Sequence, residues 1–146
     1  MWKIIIELER EILSVKRVVV NGTFDVLHRG HVELLRYAKS IGDFLLVCID
    51  DDNRVSKLKG PTRPVFSQDD RKFVLQSLSC VNAVKIFHND SNLIEILEWY
   101  SPHIMVKGSD YIGKEIVGSD KCGSIIFFER MNEYSTTKIV EHTISR

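Results

Sequence analysis

The most informative stretch of this sequence is Asn21-Gly-Thr-Phe-Asp-Val-Leu-His-Arg-Gly-His31. Residues 17–20, directly before this stretch, are mostly β-branched and apolar, and this predicts a buried strand. Residues 31–41 place apolar side chains at helical spacing, and Gly42 then predicts the end of a helix. The quoted stretch is therefore a loop that runs from the end of a strand into the start of a helix.

The rest of the chain continues this alternation of strand and helix. Four further apolar runs predict strands, at residues 44–49, 81–87, 104–106 and 125–128. Four further segments predict helices, at residues 4–13, from Ser67, at about 91–100 and from Ser135. Short apolar strands between helices are typical of a parallel sheet covered on both faces. We expect an α/β fold: a Rossmann-like, doubly wound, parallel five-stranded sheet in a single domain of residues 1–146, with residues 1–14 as a helix before the first strand.

The helix predicted from Ser67 has its own capping signal and its own apolar face. Asp70 stands three residues after Ser67, as in a capping box. We expect Phe73, Val74 and Leu78 to form its inner, apolar face toward the sheet.

The composition restricts the classes of function. The 146 residues carry 20 basic and 20 acidic side chains, and a net charge of zero gives no general attraction to nucleic acid or anionic membranes. No apolar run reaches the length of a membrane span, and the charges within the first 14 residues argue against a signal peptide. Three cysteines without CxxC spacing favour a reducing compartment. We therefore expect a cytoplasmic protein with no nucleic-acid and no membrane partner.

The loop around His28, Gly30 and His31 is the first place to look for chemistry, because ligands of parallel sheets lie beyond the carboxyl ends of the strands. Gly30 lets a ligand approach the backbone, and the free N–H groups at a helix start favour an anion. Two imidazoles can donate hydrogen bonds to oxygens that gain charge during phosphoryl transfer. Two other interpretations stay open: a structural loop with two incidental histidines, or a metal site formed with Asp25.

The stretch from Gly22 to His31 resembles the signature of the cytidylyltransferase-like nucleotidyltransferases. Tyr134-Ser-Thr-Thr-Lys-Ile139 resembles the second signature of that family, and the resemblance extends over nearly the whole chain. It implies a reaction in which a phosphate oxygen of an acceptor attacks the α-phosphate of a nucleoside triphosphate and pyrophosphate leaves. It also implies Mg²⁺, carried mostly by phosphate oxygens and water rather than by protein ligands, and a homodimer.

The resemblance assigns roles to individual residues. It implies that His28 and His31 stabilise the transition state and that Lys59 supplies a catalytic positive charge beside the triphosphate. The residues it implies for nucleotide binding are Thr23, Phe24, Gly30, Arg63, Arg71, Arg130, Ser135, Thr136 and Thr137.

Three stretches, residues 59–65, 106–111 and 115–120, resemble one branch of the family, the adenylyltransferase of ADP-heptose synthesis. That branch joins AMP to heptose 1-phosphate for the lipopolysaccharide core. It implies further binding residues at Lys107, Gly108 and Asp110, near the nucleotide or the sugar. We therefore expect ATP and a heptose 1-phosphate-like acceptor as the substrates.

Two alternatives to this activity stay open. Gly22-Thr-Phe24 and Thr137-Lys-Ile139 are more similar to glycerol-3-phosphate cytidylyltransferase, which uses CTP. The segment 120–123 is also shorter than its counterpart in the heptose branch. The other alternative is a nucleotide-binding regulator without turnover, which the intact His28, Gly30 and His31 disfavour.

Overall fold

The computed structural model describes residues 1–129, and five parallel strands form its central sheet. The strands are β1 Arg17–Gly22, β2 Phe44–Asp50, β3 Ala83–Phe87, β4 Ile104–Gly108 and β5 Ser124–Phe128. Their order across the sheet is β3-β2-β1-β4-β5, and each neighbouring pair is parallel. The expected Rossmann-like sheet is confirmed.

Helices connect these strands and precede the first of them. They are α1 Trp2–Ser14, α2 Arg29–Ser40, α3 Asp52–Lys59, α4 Gln68–Gln76 and α5 Asp90–Tyr100, with short 3₁₀ turns at Ser109–Tyr111 and Ser119–Lys121. The sequence patterns predict only a loop between residues 50 and 66. A helix, α3, forms there because the Asp51 carboxylate accepts a hydrogen bond from the Arg54 N–H and caps it. The helix predicted from Ser135 lies outside the described residues.

Apolar side chains cover both faces of the sheet. Alternate residues of β1 point to opposite faces, so that Val18 and Val20 pack with Leu35 of α2, while Val19 packs with Leu97 of α5. These five side chains are almost wholly buried. Burial of each stabilises the fold by about 1.5–3 kcal/mol relative to full exposure.

The inner face of α4 differs from the prediction. Phe73 and Val74 are 72% and 43% exposed, so the prediction that they face the sheet is wrong. Leu78 does pack against the core as expected. Arg71 and Leu75 are the buried residues of the helix instead.

The hydrogen bonds of Arg71 explain this orientation of α4. Its guanidinium group donates to the carbonyl oxygens of Thr23 and Phe66, at 2.8 and 3.0 Å. A charged side chain is buried where it is paired or hydrogen-bonded, and an apolar pattern carries no information about such partners. The Ser67 side chain caps α4 by accepting a hydrogen bond from the Asp70 N–H, as expected.

The predicted first helix is confirmed as α1, and every one of its residues is exposed. Its apolar residues include Trp2 and Ile12, which are 78% and 69% exposed. Among residues 1–129, no helix combines the length and the apolar character needed to cross a membrane.

The order of the strands locates a ligand site. The chain builds β1, β2 and β3 outward in one direction and then returns to place β4 on the other side of β1. A crevice opens outside the carboxyl ends of the strands at such a switch point, and ligands bind there. Gly22 and Gly108 end β1 and β4 at this position.

Candidate active site

A cavity of about 320 Å³ opens at the carboxyl ends of the strands, where the topology predicts a ligand. Apolar side chains from both core layers line it, among them Leu34, Phe87 and Leu93. Its other lining residues come from the loop after β1, from α2, from β2 and α3, and from β4 and the segment after it. They include Asn21, Thr23, Phe24, His31, Asp50, Arg54, Lys59, Lys107, Gly108, Tyr111 and Glu115.

The two predicted catalytic histidines stack at the start of α2. Their ring centroids are 3.7 Å apart, with the ring planes at 23°. His28 Nδ1 accepts a hydrogen bond from the Gly30 N–H at 3.1 Å, and His31 Nδ1 accepts one from the His28 N–H at 3.3 Å. Because each Nδ1 is an acceptor, the proton of each neutral ring is assigned to Nε2. Each ring can therefore donate a hydrogen bond from Nε2.

The loop that carries the histidines has a strained backbone. Phe24 and Val26 have positive φ angles of 51° and 55°. Such angles cost on the order of 1–3 kcal/mol at a non-glycine residue, and they persist only where surrounding contacts enforce them. Asp25, between these two residues, supplies contacts of that kind.

Asp25 is fully buried and ties the loop to the segment between α3 and α4. Its oxygens accept hydrogen bonds from the N–H groups of Val65 and Phe66, at 2.8 and 3.0 Å, and it pairs with Arg63 at 3.0 Å. Burial alone raises the pKa of a carboxyl group, but these hydrogen bonds and the positive charge outweigh burial and lower the pKa of Asp25. Asp25 anchors the loop, which argues against the interpretation in which it holds a metal with the histidines.

Arg63 and Arg71 are buried, and neither lines the cavity at the carboxyl ends of the strands. Arg63 pairs with Asp25, and Arg71 pairs with Asp52 at 2.9 Å. The structure thus gives both guanidinium groups contacts that position the loop after β1. A direct contact with a nucleotide stays a prediction for both.

Asp50 and Arg54 form a second charged side of the cavity, which the sequence patterns do not predict. Asp50 is 7% exposed and accepts hydrogen bonds from Thr23 Oγ1 at 3.2 Å and Arg54 Nε at 2.6 Å. Arg54 Nη2 pairs with Asp90 at 2.7 Å, and the guanidinium lies 5.3 Å from the Phe87 ring centroid. Burial disfavours the charged guanidinium, but the two carboxylates outweigh burial and raise the pKa of Arg54.

Lys107 lies on the β4 side of the same cavity and is 7% exposed. Its Nζ is 3.3 Å from the Asn21 carbonyl oxygen and 4.4 Å from the Tyr111 ring centroid. Burial lowers the pKa of Lys107 to about 8, and the charges of Asp50 and Asp110 offset this only in part. An anionic ligand would supply the counter-charge that favours a buried ammonium group.

The other predicted site residues fall into three groups. Lys59 ends α3 and lines the cavity, while Gly30 is buried in the first turn of α2. Asp110 lies in the exposed turn after β4. Outside the described residues lie Arg130, Ser135, Thr136 and Thr137. Within residues 1–129, no group of three or more His, Cys, Asp or Glu side chains is placed to hold a metal ion.

The sequence does contain a local signal for the ion pair of Asp50 and Arg54, which the sequence analysis did not predict. Asp50 follows an apolar strand directly, and Arg54 stands four residues later. An acidic and a basic residue at that spacing meet when the segment between them is helical. The pair was missed because α3 was not predicted.

Residues 19–142 match the model of the cytidylyltransferase-like family. This span contains the loop after β1 and every residue that lines the cavity.

Among curated proteins, the bifunctional protein HldE of a Helicobacter pylori strain is 44% identical to this chain over 126 residues. The bifunctional protein HldE of a Nitratiruptor species is 46% identical over 127 residues. Each match covers 86% of this chain and 27% of the relative. The chain thus spans about a quarter of the length of these curated relatives.

Solved structures share the fold. A lipopolysaccharide core biosynthesis protein of Thermoplasma volcanium GSS1 has a TM-score of 0.63 at 23% identity, covering 84% of this chain and 100% of its own. A pantoate-beta-alanine ligase of Francisella tularensis has a TM-score of 0.57 at 15% identity, covering 89% of this chain and 69% of its own. The match to the first covers that chain from end to end.

Proposed function

The chain belongs to the cytidylyltransferase-like family of nucleotidyltransferases, and we propose that it transfers AMP from ATP to a heptose 1-phosphate-like acceptor with release of pyrophosphate. The observation that carries this proposal is the stacked pair of His28 and His31 at the start of α2. Each ring can donate a hydrogen bond from Nε2. His31 lines the cavity at the switch point of the sheet, and His28 stacks against it without lining the cavity.

The reaction needs no covalent intermediate on the protein. The phosphate of the acceptor is already ionised, so one of its oxygens can attack the α-phosphorus of ATP directly. A new P–O bond forms on one side of this phosphorus while the bond to pyrophosphate breaks on the other. Catalysis is then a matter of alignment and charge stabilisation.

The imidazole pair supplies that stabilisation. Negative charge grows on the α-phosphate oxygens and on the departing bridging oxygen, and hydrogen bonds from His28 Nε2 and His31 Nε2 strengthen as it grows. The hydrogen bonds from backbone N–H groups to both Nδ1 atoms fix the rings before the reaction begins. Little reorganisation is therefore needed at the transition state.

Positive charges around the cavity suit the other phosphate groups. Lys59 of α3 lines the cavity, and we assign to it the neutralisation of the β- and γ-phosphates and of the departing pyrophosphate. Lys107 of β4 also lines the cavity, and we assign to it the phosphate of the acceptor. We expect Mg²⁺ to enter with the nucleotide, held by phosphate oxygens and water, where its charge further neutralises the pyrophosphate. Asp50 is already engaged by Thr23 and Arg54, which suits a metal carried by the substrate.

The sequence supports ATP and a heptose 1-phosphate as the substrates. Residues 106–111 include the Lys107 and Gly108 of the heptose-branch resemblance, and both line the cavity. The curated relatives with 44% and 46% identity bear one name and match over most of this chain. The family resemblance further supports a homodimer in the cytoplasm, and the dimer can be tested by sedimentation of the purified protein.

A pyrophosphate-release assay tests the proposed function. The purified chain is offered each of the four ribonucleoside triphosphates with heptose 1-phosphate, glycerol 3-phosphate or no acceptor. We expect release with ATP and heptose 1-phosphate well above every other combination. Preference for CTP and glycerol 3-phosphate would replace this activity with cytidylyl transfer. Tight nucleotide binding without release in any combination would contradict an enzymatic role.

A further inference from the structure

The side of the cavity formed by β2, α3 and β3 has polar groups that the proposed transfer of AMP does not use. Arg54 is central to it, between the carboxylates of Asp50 and Asp90 and over the ring of Phe87. Arg54 lines the cavity together with Asp50 and Phe87.

The Arg54 side chain is fixed before any ligand arrives. Asp50 accepts from Nε at 2.6 Å and Asp90 accepts from Nη2 at 2.7 Å. Neither ion pair uses Nη1. A guanidinium group held by two carboxylates and an aromatic ring has little rotamer entropy left to lose on binding, so its remaining N–H groups are preorganised donors.

A hydrogen-bond acceptor accompanies this donor in the cavity. Asn21 lies at the end of β1 and also lines the cavity. Its Oδ1 is buried and has no hydrogen-bond partner among residues 1–129. A buried polar atom without a partner is rare in native proteins, and a ligand donor is one way to satisfy it.

The local charge favours a neutral ligand group over a phosphate. Arg54 contributes one positive charge, while Asp50 and Asp90 contribute two negative charges beside it. The net charge of this cluster is therefore negative, which disfavours an anion beside Arg54. A hydroxyl group both donates and accepts hydrogen bonds, so it matches the Arg54 donor and the Asn21 acceptor.

We propose that Arg54 is a specificity-determining residue that binds hydroxyl groups of the acceptor's sugar, with Asn21 as the accompanying acceptor. This inference rests on the proposed function, because it assigns the phosphate of the same acceptor to Lys107. Arg54 selects among phosphorylated acceptors by the hydroxyl groups they carry and has no part in binding the triphosphate.

Titration calorimetry of the whole chain, saturated with a non-hydrolysable ATP analogue, tests the inference. The probes are heptose 1-phosphate and inorganic phosphate, which has no sugar hydroxyl groups. We expect Arg54→Met to raise the Kd of heptose 1-phosphate about 10- to 100-fold, since a hydrogen bond to a charged group is lost. The Kd of inorganic phosphate and that of the ATP analogue stay within about twofold, as the proposal requires of groups that Arg54 does not contact.

Three further variants separate recognition from a structural role. Arg54→Lys keeps the charge beside Asp50 and should fold, yet it loses the planar donor, so we expect an intermediate Kd for heptose 1-phosphate. Asp90→Asn removes one anchor and should raise that Kd by a smaller factor. Arg36→Met, on the exposed surface of α2, is the matched control and should change nothing.

Equal weakening of heptose 1-phosphate and inorganic phosphate in folded Arg54→Met or Arg54→Lys would overturn the inference, and so would no change in either. The failure of the proposed function has a different signature. Wild-type protein that binds heptose 1-phosphate but releases no pyrophosphate from ATP contradicts the transfer reaction, while the Arg54 variants still decide the binding role. Wild-type protein that does not bind heptose 1-phosphate overturns both.

Discussion

The two charged sides of the cavity differ in how the chain encodes them. The imidazole side comes from one uninterrupted stretch, in which His28, Gly30 and His31 meet within a single helical turn. The other side combines Asp50 and Arg54 with Asp90, so that one strand, β2, and two helices, α3 and α5, must come together before it exists. We assign the triphosphate to the first side and propose that the second side binds the acceptor.

The largest expected effect comes from the imidazole side. His28→Ala and His31→Ala should each lower kcat by about 10²–10³-fold or more, with a much smaller change in the Kd of ATP, because the lost hydrogen bonds strengthen only as charge develops. Steady-state kinetics of pyrophosphate release measures this. His88→Ala, at an exposed histidine outside the cavity, is the control. An unchanged kcat in a folded variant would contradict the assigned role of that histidine in stabilising the transition state. The contrast between the two sides of the cavity would then fail as well.

Loss of the anchor beneath the imidazole side should act on stability. Asp25→Asn removes the counter-charge of buried Arg63 and weakens the bonds that enforce the loop conformation. We expect the free energy of unfolding in urea to fall by about 3 kcal/mol, as when one partner of a buried ion pair is lost. Asp69→Asn, at an exposed position of α4, should change it by less than about 0.5 kcal/mol. A similar small change for Asp25→Asn would show that the strained loop does not depend on this carboxylate.

A variant of Lys59 tests whether the triphosphate and the acceptor bind at separate positions in the cavity. Lys59→Ala should raise the Kd of ATP about tenfold, through loss of a charge-assisted hydrogen bond, and leave the Kd of the acceptor unchanged. Lys57→Ala removes a lysine from the same helix at a position that does not line the cavity, and serves as the control. A normal Kd of ATP in the Lys59 variant would rule out the contact.

The smallest expected effect is the pH dependence that Lys107 gives to acceptor binding. Its pKa of about 8 means that the charged form dominates below that pH and is lost as pH rises through it. Between about pH 7 and about pH 9 the KM for the acceptor should therefore rise several-fold, and in Lys107→Met this rise should disappear. A KM that rises equally in the variant would assign the pH dependence to another group.

How far the sequence predicts this molecule depends on the range of the interactions involved. The strands and the position of the histidine loop follow from local patterns, namely apolar runs, glycines and helical spacing. The predicted inner face of α4 is wrong because Arg71 is buried there and donates hydrogen bonds to the carbonyl oxygens of residues 23 and 66. The spacing of apolar residues gives no sign of such hydrogen bonds. In the same way Arg63 resembles a phosphate ligand in sequence, but its pairing with Asp25 joins residues 38 positions apart. Arg54 was missed because α3 was not predicted, and its second partner, Asp90, lies 36 positions away in α5.

The most direct test is a crystal structure of the protein with an ATP analogue that cannot be cleaved between the α- and β-phosphates. The account predicts α-phosphate oxygens at about 2.7–3.2 Å from the Nε2 atoms of His28 and His31. A nucleotide whose α-phosphate lies beyond hydrogen-bond reach of both rings would contradict it.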